Sequence, residues 1–403
     1  MDKTSPKVIA VVGSVGKTST TQAVADTLRS RYRVTATKGS YNTDLGVVMS
    51  VFDESIQTSR AAWVLCVSKI IIKSIFTRPK SEIYVLELSP DTPNGMRGHA
   101  YIKPDITVVT AITPEHMEFY SDLDAVAAEE LAVNDFSREL IINIDMVSED
   151  YIDGLVTQPY QTYGLAHAVF TAQGEAFEKG SRKINFFGGE PVSVSLPLLG
   201  DHSIYLALAA YAVGSKLGMS ASELQAGLSA ITASPGRMQL LNGIQDSLIL
   251  DDTYNASPEA YKAALHTLQQ LEAQQKIVVF GSMNELGKDS KKYHEQVASW
   301  ADPRYVNHAV TLGHDAGTYI APMLRIKGID VHEAASPVEV ASLVKKFLKP
   351  GAAILIKGSQ NGVFAEEVTK RLLANPADVG KLVRQTGYWP AKKAKQFPDL
   401  LQN

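Results

Sequence analysis

Residues 8–20 read VIAVVGSVGKTST, an apolar run followed at once by a glycine-rich turn and then by helix-compatible residues. An apolar run without polar alternation is typical of a strand buried on both faces of a sheet. Glycines between such a strand and a helix let backbone amides turn toward a phosphate, and the helix N-terminus adds partial positive charge. The stretch therefore predicts an α/β fold that opens with a phosphate-binding loop.

The loop has the shorter G-x-x-G-K-T form, because Val11 stands where the longer form has its first glycine. Lys17 is expected to reach the β- and γ-phosphates of a nucleotide, and the Thr18 hydroxyl is expected to ligate magnesium. The other residues expected to bind the nucleotide are Gly13, Ser14, Gly16 and Ser19. A chance match to the motif is the alternative.

Similar apolar runs recur along the chain with helix-length segments between them. They occupy residues 83–88, 106–112, 140–144, 248–250, 276–280, 309–312 and 352–356. This alternation favours a parallel sheet covered by helices, whereas the short segments of residues 151–197 favour antiparallel hairpins. The alternation restarts after residues 234–237 (SPGR), so we expect a domain boundary there.

Composition narrows the functional classes. The formal net charge of −4 argues against a nucleic-acid partner bound through net charge. A single cysteine, Cys66, excludes an internal disulfide and a cysteine metal cluster. Residues 61–76 are apolar but include Lys69 and Lys73 and are too short for a membrane span. A helix packed on the sheet is favoured there, with a membrane-surface or partner-binding helix as the alternative.

These features indicate a soluble, cytoplasmic protein without a membrane span. The stretch that precedes the phosphate-loop candidate is too short for the apolar region of a signal peptide. The basic residues 391–403 (AKKAKQFPDLLQN) are expected to form a solvated tail, with a functional basic tail as the alternative.

Two further candidates follow the ends of predicted strands. Glu87 lies at the end of the run at 83–88, one residue before its last, and His116 follows the run at 106–112. Because the carboxyl ends of parallel strands converge on one crevice, both are expected to face Thr18. A carboxylate and an imidazole fit Mg²⁺ or Mn²⁺ coordination around a nucleotide. The alternatives are a salt bridge for Glu87 and a satisfied loop histidine for His116.

Nine blocks, in family order, resemble the Mur ligase family and span nearly the whole chain. The blocks are GSVGKTST (13–20), YNTDLGV (41–47), VLELSPDTPNGM (85–96), TAITPEHMEFY (110–120), LPLLGDHSIYLALAA (196–210), SPGRM (234–238), LDDTYNASPEAYKAAL (250–265), VVFGSMNELGKDSKKYH (278–294) and IKGSQNGVFAEEV (356–368). The resemblance implies a P-loop ATPase domain with a mostly parallel sheet at residues 1–233. A smaller, dinucleotide-fold-like α/β domain is implied at 234–403.

The resemblance also implies an ATP-dependent, ADP-forming acid–amino-acid ligase of peptidoglycan synthesis. In that family a substrate carboxylate attacks the γ-phosphate of ATP, and an amine then displaces phosphate from the acyl phosphate to leave an amide. The implied substrates are small molecules: a muramoyl-peptide precursor of the cell wall and an amino acid or a D-Ala-D-Ala dipeptide. The alternatives are a related ligase for a γ-glutamyl or isopeptide product, such as a folylpolyglutamate chain, and a non-catalytic nucleotide-binding subunit.

Roles follow for the residues that match the family's motifs. The implied catalytic residues are Lys17, His116, Arg237 and Glu130. The implied ligands of two Mg²⁺ ions are Thr18, Glu87, His116 and Glu130. The implied nucleotide contacts of the second domain are Arg237, Asp252, Tyr254 and Asn255. The alternatives are an interdomain tie for Arg237, a strand-end cap for Asp252 and packing for Tyr254.

One of these roles departs from the family's usual residue. Glu130 stands where the family carries a carbamylated lysine, so its carboxylate would replace the carbamate. The neighbouring Glu129 is a second candidate, and a solvated helix face is the alternative. In the second domain, Glu285 and His294 are candidates for an amine site, and Lys357 for a substrate-side loop.

Other positions depart from the family's pattern as well. Ser203 and Leu206 stand where asparagines contact adenine, and Ser282 and Gln360 replace an acid and an arginine. We expect altered recognition of the base and the amine, since glutamine cannot rebuild a bidentate arginine–carboxylate clamp. Only 12 residues precede Gly13, which leaves no room for the family's UDP-binding domain. The helix at 61–76 or a separate partner would then hold the substrate, or the substrate is not linked to UDP.

Overall fold

The computed structural model describes residues 6–37, 48, 49, 51, 52, 60–76, 81–90, 93–113, 119–175, 177, 181–200, 202–284 and 286–401. The chain forms two compact units, each built around one large sheet. The first unit comprises Met1–Leu196 and Ser203–Thr232, and the second comprises Pro197–His202 and Ala233–Asn403.

Within the described residues, nine strands form the sheet of the first unit. They are β1 (Lys7–Val12), β2 (Val34–Ala36), β3 (Ile83–Glu87), β4 (Ile106–Val109), β5 (Leu140–Asn143), β6 (Tyr160–Gly164), β7 (Phe170–Gly174), β8 (Arg182–Phe187) and β9 (Val192–Leu196). The order across the sheet is β2-β3-β1-β4-β5-β6-β7-β8-β9. Strands β2 to β6 pair in parallel, which confirms the predicted parallel sheet. Strands β7, β8 and β9 pair antiparallel, which confirms the predicted hairpins.

The position of β1 explains its unbroken apolar sequence. It lies between β3 and β4, and its residues 9–12 are fully buried. Ala10 and Val12 share a core with Leu86, Val109 and Ile142 from the neighbouring strands. A strand covered on both faces has no solvent side, so no polar residue alternates along it.

The helices of the first unit connect these strands. They are α1 (Lys17–Leu28), α2 (Arg60–Phe76), α3 (Gly95–Gly98), α4 (Leu123–Leu131), α5 (Glu149–Leu155), α6 (His202–Lys216) and α7 (Ala221–Ser229). Helix α4 is capped by Asp122, whose side chain accepts a hydrogen bond from the Ala125 N–H. In α2, Cys66 and Ile70 pack with Met49, while Val64 and Leu65 are exposed. None of the helices in the described ranges combines the length and apolar character that a bilayer crossing requires.

The second unit has a six-stranded sheet with helices around it. Its strands are β10 (Gln239–Asn242), β11 (Leu248–Asp252), β12 (Lys276–Gly281), β13 (His308–Leu312), β14 (Asp330–Ala334) and β15 (Ala353–Lys357). Its helices are α8 (Pro258–Gln270), α9 (Ser290–Trp300), α10 (Ala321–Ile326), α11 (Pro337–Phe347), α12 (Glu366–Leu372) and α13 (Trp389–Gln396). The order is β10-β11-β15-β12-β13-β14, with β10 antiparallel at one edge and the other pairs parallel. The α/β class predicted for this half is confirmed.

The prediction of a solvated C-terminal tail is wrong for Lys393, although Lys392, Lys395 and Gln396 are exposed as predicted. Residues 389–396 form helix α13, and Lys393 on that helix is only 2% exposed. Its ammonium group pairs with Glu366 at 2.9 Å and with Glu367 at 2.8 Å, both at the start of α12. The basic composition suggested solvent exposure, but buried acidic partners compensate the charge.

Candidate functional site

The glycine-rich loop joins β1 to α1 in a conformation that only glycine adopts easily. Gly13 has φ of 123° and Gly16 has φ of 84°, and both lie in the left-handed region. A Cβ atom on Gly13 would lie 2.4 Å from the Thr110 Oγ1 atom and 2.8 Å from the Ala111 carbonyl oxygen. The end of β4 therefore presses against the loop and leaves no room for a side chain at Gly13.

Hydrogen bonds from the same strand end fix the loop. The Thr110 hydroxyl donates to the carbonyls of Val12 and Val15, at 3.0 and 2.7 Å. The Ser14 N–H donates to the Ala111 carbonyl at 2.8 Å, and the Ser14 Oγ atom accepts from the Thr113 N–H at 3.0 Å. Ser14 is thus held by the strand end through its amide and its hydroxyl.

Lys17 lies folded over the loop. Its Nζ atom donates to the Gly13 carbonyl at 2.6 Å and to the Ser14 carbonyl at 3.2 Å, and the residue is 8% exposed. The carbonyl partners hold the ammonium group at the N-terminus of α1. Ser19, two residues further along α1, is half-buried, and Gly16 is exposed.

Thr18 and Glu87 meet beside this loop. The Thr18 hydroxyl donates to the Glu87 Oε1 atom at 3.2 Å, and Glu87 is 3% exposed at the end of β3. The Glu87 N–H donates to the Thr37 hydroxyl at 3.0 Å, which fixes the strand end. A hydroxyl and a carboxylate oxygen are the hard donors that Mg²⁺ prefers, so this pair fits a magnesium ion.

Glu130 lies on α4 directly against the phosphate-loop candidate. It is 4% exposed, and its Oε2 atom accepts a hydrogen bond from the Gly13 N–H at 2.9 Å. The neighbouring Glu129 accepts instead from the N–H groups of Asn94 and Met96, at 2.7 and 2.8 Å. The solvated-face alternative is therefore wrong for Glu130. His116 lies outside the described residues.

In the second unit a buried ion pair lies at the ends of adjacent strands. The Lys357 Nζ atom lies 2.6 Å from the Asp252 Oδ2 atom and donates to the Asn255 carbonyl at 3.0 Å. The Asp252 Oδ1 atom accepts from the Met238 N–H at 3.1 Å. Burial lowers the pKa of Lys357, and the charge of Asp252 opposes that shift. The side chain of Asp252 is thus engaged within its own unit, and Asn255 contributes a backbone carbonyl.

Tyr254 carries an arginine on its ring. The Arg237 guanidinium lies 4.1 Å from the ring centroid, a cation–π contact worth about 0.5–2 kcal/mol. The Tyr254 N–H donates to the Gly236 carbonyl at 3.0 Å, so the residue before Arg237 is bonded to the segment that follows β11. The Arg237 Nε atom is buried and has no hydrogen-bond partner among the described residues. An oriented guanidinium with an unused donor suits an anionic ligand.

A second arginine supports Tyr254, and no sequence motif pointed to it. Arg384 donates to the Thr253 carbonyl at 2.6 Å and to the Tyr254 carbonyl at 3.1 Å. Its Nε atom also lies 3.0 Å from the Glu366 Oε1 atom, and the Glu366 side chain is fully buried. Lys393 joins the same carboxylate. We call Arg384, Lys393, Glu366 and Glu367 the C-terminal ion cluster.

Asp251 lies beneath these groups in the core. It is fully buried, and its Oδ1 atom accepts hydrogen bonds from the hydroxyls of Thr253 and Thr369, at 2.9 and 2.8 Å. Burial raises the pKa of Asp251 to about 7. The two hydroxyl donors partly oppose that shift.

His294 does not serve as the expected amine-site residue. Its Nε2 atom accepts from the Met283 N–H at 3.0 Å, and its Nδ1 atom lies 2.8 Å from the Ser290 carbonyl. This pairing defines a neutral imidazole with both nitrogens engaged, and burial lowers the pKa of the residue. A fully buried side chain of this kind cannot reach a substrate. Its proposed partner Glu285 lies outside the described residues.

Comparison with known proteins gives two family matches in chain order. The family model described as "Mur ligase middle domain" matches residues 11–214. The model described as "Mur ligase, glutamate ligase domain" matches residues 236–360. Together these matches cover the phosphate-loop candidate and the strand ends around Asp252.

Similar full-length proteins agree with these matches. The UDP-N-acetylmuramoyl-tripeptide–D-alanyl-D-alanine ligase of Bacillus subtilis is 26% identical over 374 residues, which cover 92% of this chain and 76% of the relative. The MurF ligase of Thermotoga maritima, solved in complex with ADP, superposes with a TM-score of 0.72 at 21% identity, covering 91% of this chain and 79% of the other. A folylpolyglutamate synthase of Mycobacterium tuberculosis gives a TM-score of 0.66 at 17% identity, covering 92% of each chain. The two structural likenesses show a shared fold.

Proposed function

The chain belongs to the Mur ligase family of ATP-dependent ligases, and we propose that it joins D-alanyl-D-alanine to a UDP-N-acetylmuramoyl-tripeptide. The substrate proposal rests on the B. subtilis relative, whose name states this reaction. The observation that supports ATP binding is the Thr18–Glu87 pair, 3.2 Å apart, beside Lys17 and the glycine-rich loop.

The proposed first step transfers the γ-phosphoryl group of ATP to the substrate carboxylate. Charge on the transferring group must be neutralised, and Lys17 supplies an ammonium group for it. In the described state Lys17 is bonded to two loop carbonyls, so it exchanges these partners for phosphate oxygens when ATP binds. The loop amides and the N-terminus of α1 add further positive potential.

Thr18 and Glu87 are the proposed ligands of one magnesium ion, and His116 and Glu130 of a second. When bound, Mg²⁺ supplies charge neutralisation for the phosphates. Glu130 also accepts the Gly13 N–H, so it orients the first glycine of the loop. We propose that both carboxylates act by holding metal rather than by moving protons.

The second step needs a nucleophilic amine and a leaving phosphate. The amine of D-alanyl-D-alanine attacks the acyl carbon of the acyl phosphate, the C–O bond to phosphate breaks, and the released phosphate takes up the proton that the amine gives up. We propose Arg237, Asp252, Tyr254 and Asn255 as nucleotide contacts of the second unit. The cation–π contact with Tyr254 supports this role, because it orients the guanidinium before any ligand arrives.

ADP release under defined substrate pairs tests the proposal. We expect ADP only when ATP, a UDP-N-acetylmuramoyl-tripeptide and D-alanyl-D-alanine are all present, and we expect Lys17→Met to abolish it. Lys183→Met, which changes an exposed side chain on β8, is the matched control and should keep full activity. ADP release that depends on glutamate and a folate would overturn the substrate proposal, and ATP binding without turnover on any pair would overturn catalysis.

The same assay addresses how the acceptor is held. A muramoyl tripeptide without UDP is compared with the UDP-linked one. An equal kcat/KM for both would mean that this chain does not bind UDP, and would support a separate substrate-binding partner. A lower kcat/KM without UDP would place UDP recognition on this chain.

A further inference from the structure

Three side chains with metal-ligating atoms meet at the outer edge of the second unit's sheet. His308 begins β13, and Asp330 and His332 lie on β14, the last strand in the order. The register places His308 opposite Asp330, and Asp330 and His332 share a face because they are two residues apart. One donor atom from each residue lies within 4.8 Å of the others.

The distances between these atoms fit one metal ion. The His308 Nδ1 atom lies 2.9 Å from the Asp330 Oδ2 atom, and the His332 Nε2 atom lies 3.5 Å from the same oxygen. Zinc bonds of about 2.0–2.1 Å in a tetrahedral site place donor atoms roughly 3.3–3.4 Å apart. Both separations from the Asp330 oxygen are within about 0.5 Å of that spacing, so small adjustments let this oxygen share one ion with each imidazole.

An aromatic ring holds both imidazoles in place. The His308 ring stacks on Phe347 with centroids 4.3 Å apart and planes at 17°. The His332 ring stacks on the same phenylalanine at 5.1 Å and 16°. Phe347 ends helix α11, so a rigid element orients the two ligands before any ion arrives. Fixed ring orientation is a feature of metal-ligating histidines.

An unused nitrogen points to a missing ligand. The His332 Nε2 atom is buried from solvent and has no hydrogen-bond partner among the described residues. Its 3.5 Å approach to Asp330 is an ion-pair distance without hydrogen-bond geometry. Because leaving a buried polar atom unsatisfied costs free energy, a ligand that bonds to this nitrogen would be favoured.

We propose that His308, Asp330 and His332 form a binding site for a divalent transition metal of the Zn²⁺ class. Two imidazoles and one carboxylate suit zinc, whereas Mg²⁺ prefers oxygen donors throughout. Three protein ligands leave one position for water or an external ligand. The ion would link β13 to β14 at the sheet edge. This site lies in the second unit and does not depend on the proposed ligase activity.

Zinc uptake by the full-length chain tests the site. The protein is stripped with EDTA, saturated with Mg²⁺ to occupy oxygen-ligand sites, and titrated with Zn²⁺ against a coloured zinc chelator. We expect the wild type to take up one more equivalent of Zn²⁺ than His332→Ala, and Asp330→Asn to bind that equivalent at least about tenfold more weakly. His266→Ala removes an exposed histidine of the same unit and should match the wild type.

Two further readouts separate ligation from loss of structure. Co²⁺ should give visible absorption bands in the wild type that weaken in Asp330→Asn, which replaces a half-exposed carboxylate by an amide of equal shape. Zn²⁺ should raise the Tm of the wild type and of His266→Ala, but not of Asp330→Asn. Equal Zn²⁺ uptake by wild type, His332→Ala and Asp330→Asn would overturn the proposal, as would an equal loss in His266→Ala.

Discussion

Replacing Lys393 by methionine removes one positive charge from the C-terminal ion cluster while keeping most of the side-chain volume. Its Nζ atom lies 2.9 Å from Glu366 and 2.8 Å from Glu367, and the residue is 2% exposed. Removing one partner of a buried ion pair costs about 3–5 kcal/mol, because the other charge stays buried. Here Glu366 keeps Arg384 and Glu367 keeps Arg371, so we expect the lower end, about 3 kcal/mol.

A loss of this size should lower the Tm of the second unit by about 6–12 °C, at roughly 2–4 °C per kcal/mol for a unit of this size. Thermal unfolding by circular dichroism measures it, with Lys395→Met on the exposed side of the same helix as the control. Arg384 joins the cluster to the carbonyls of Thr253 and Tyr254, and Tyr254 is a proposed nucleotide contact. Disturbing the cluster should therefore also raise the KM for ATP. If Lys393→Met unfolds at the same temperature as Lys395→Met, the cluster does not stabilise the unit and the reasoning fails.

Three other substitutions probe single contacts. Gly13→Ala should abolish ATP binding and lower stability by more than Gly218→Ala, since Gly218 shares the positive φ but has open space around it. Calorimetric ATP titration and the Tm measure the two effects, and equal effects of both substitutions would refute the steric argument. Thr18→Val should weaken Mg²⁺-dependent ATP binding at least tenfold, while Thr21→Val, which loses a hydroxyl with no hydrogen-bond partner among the described residues, should not; equal affinities would remove Thr18 from the metal site. In the wild type, the free energy of unfolding should fall as the pH rises from 3.8 to about 7, because folded Asp251 keeps a proton that the unfolded chain releases. Asp251→Asn lacks this loss, so its stability relative to the wild type should increase over the same range. Equal changes of the two proteins in denaturant titrations across that range would contradict the raised pKa.

Two parts of the candidate site follow from a local pattern and a sheet rule, whereas the roles of Glu130, Arg237, Asp252, Tyr254 and Asn255 follow from the family resemblance. The loop at 13–19 needs only the preceding strand and the following helix. Thr18 and Glu87 are 69 residues apart, yet parallel neighbours β1 and β3 end at the same edge and bring them within 3.2 Å. The rule that neighbouring parallel strands end at the same edge of a sheet therefore predicts this contact from sequence alone.

The contacts that were missed depend on packing that no short pattern encodes. Arg384 reaches the Tyr254 carbonyl across 130 residues, from a segment without strand or helix periodicity. Lys393 lies in a stretch whose composition indicates solvent, and its burial depends on two adjacent carboxylates 26 and 27 residues earlier. The prediction of an amine site at His294 rested on its place in a block that matches the family. A histidine at such a place can equally bond the backbone, and His294 accepts a hydrogen bond from the Met283 N–H.

Glu129 and Glu130 are neighbours on α4 but make different contacts. Adjacent helix positions point about 100° apart, so Glu129 caps α3 while Glu130 reaches Gly13. Glu130 and Glu87 thus place two carboxylates around a loop suited to polyanionic phosphates. Carboxylates alone would repel a nucleotide, and Lys17 supplies a single positive charge against them. Divalent cations between carboxylate and phosphate convert that repulsion into attraction. Metal ligation by both carboxylates therefore predicts that the loop binds ATP tightly in the presence of magnesium and weakly in its absence, whereas a purely structural role predicts no such dependence.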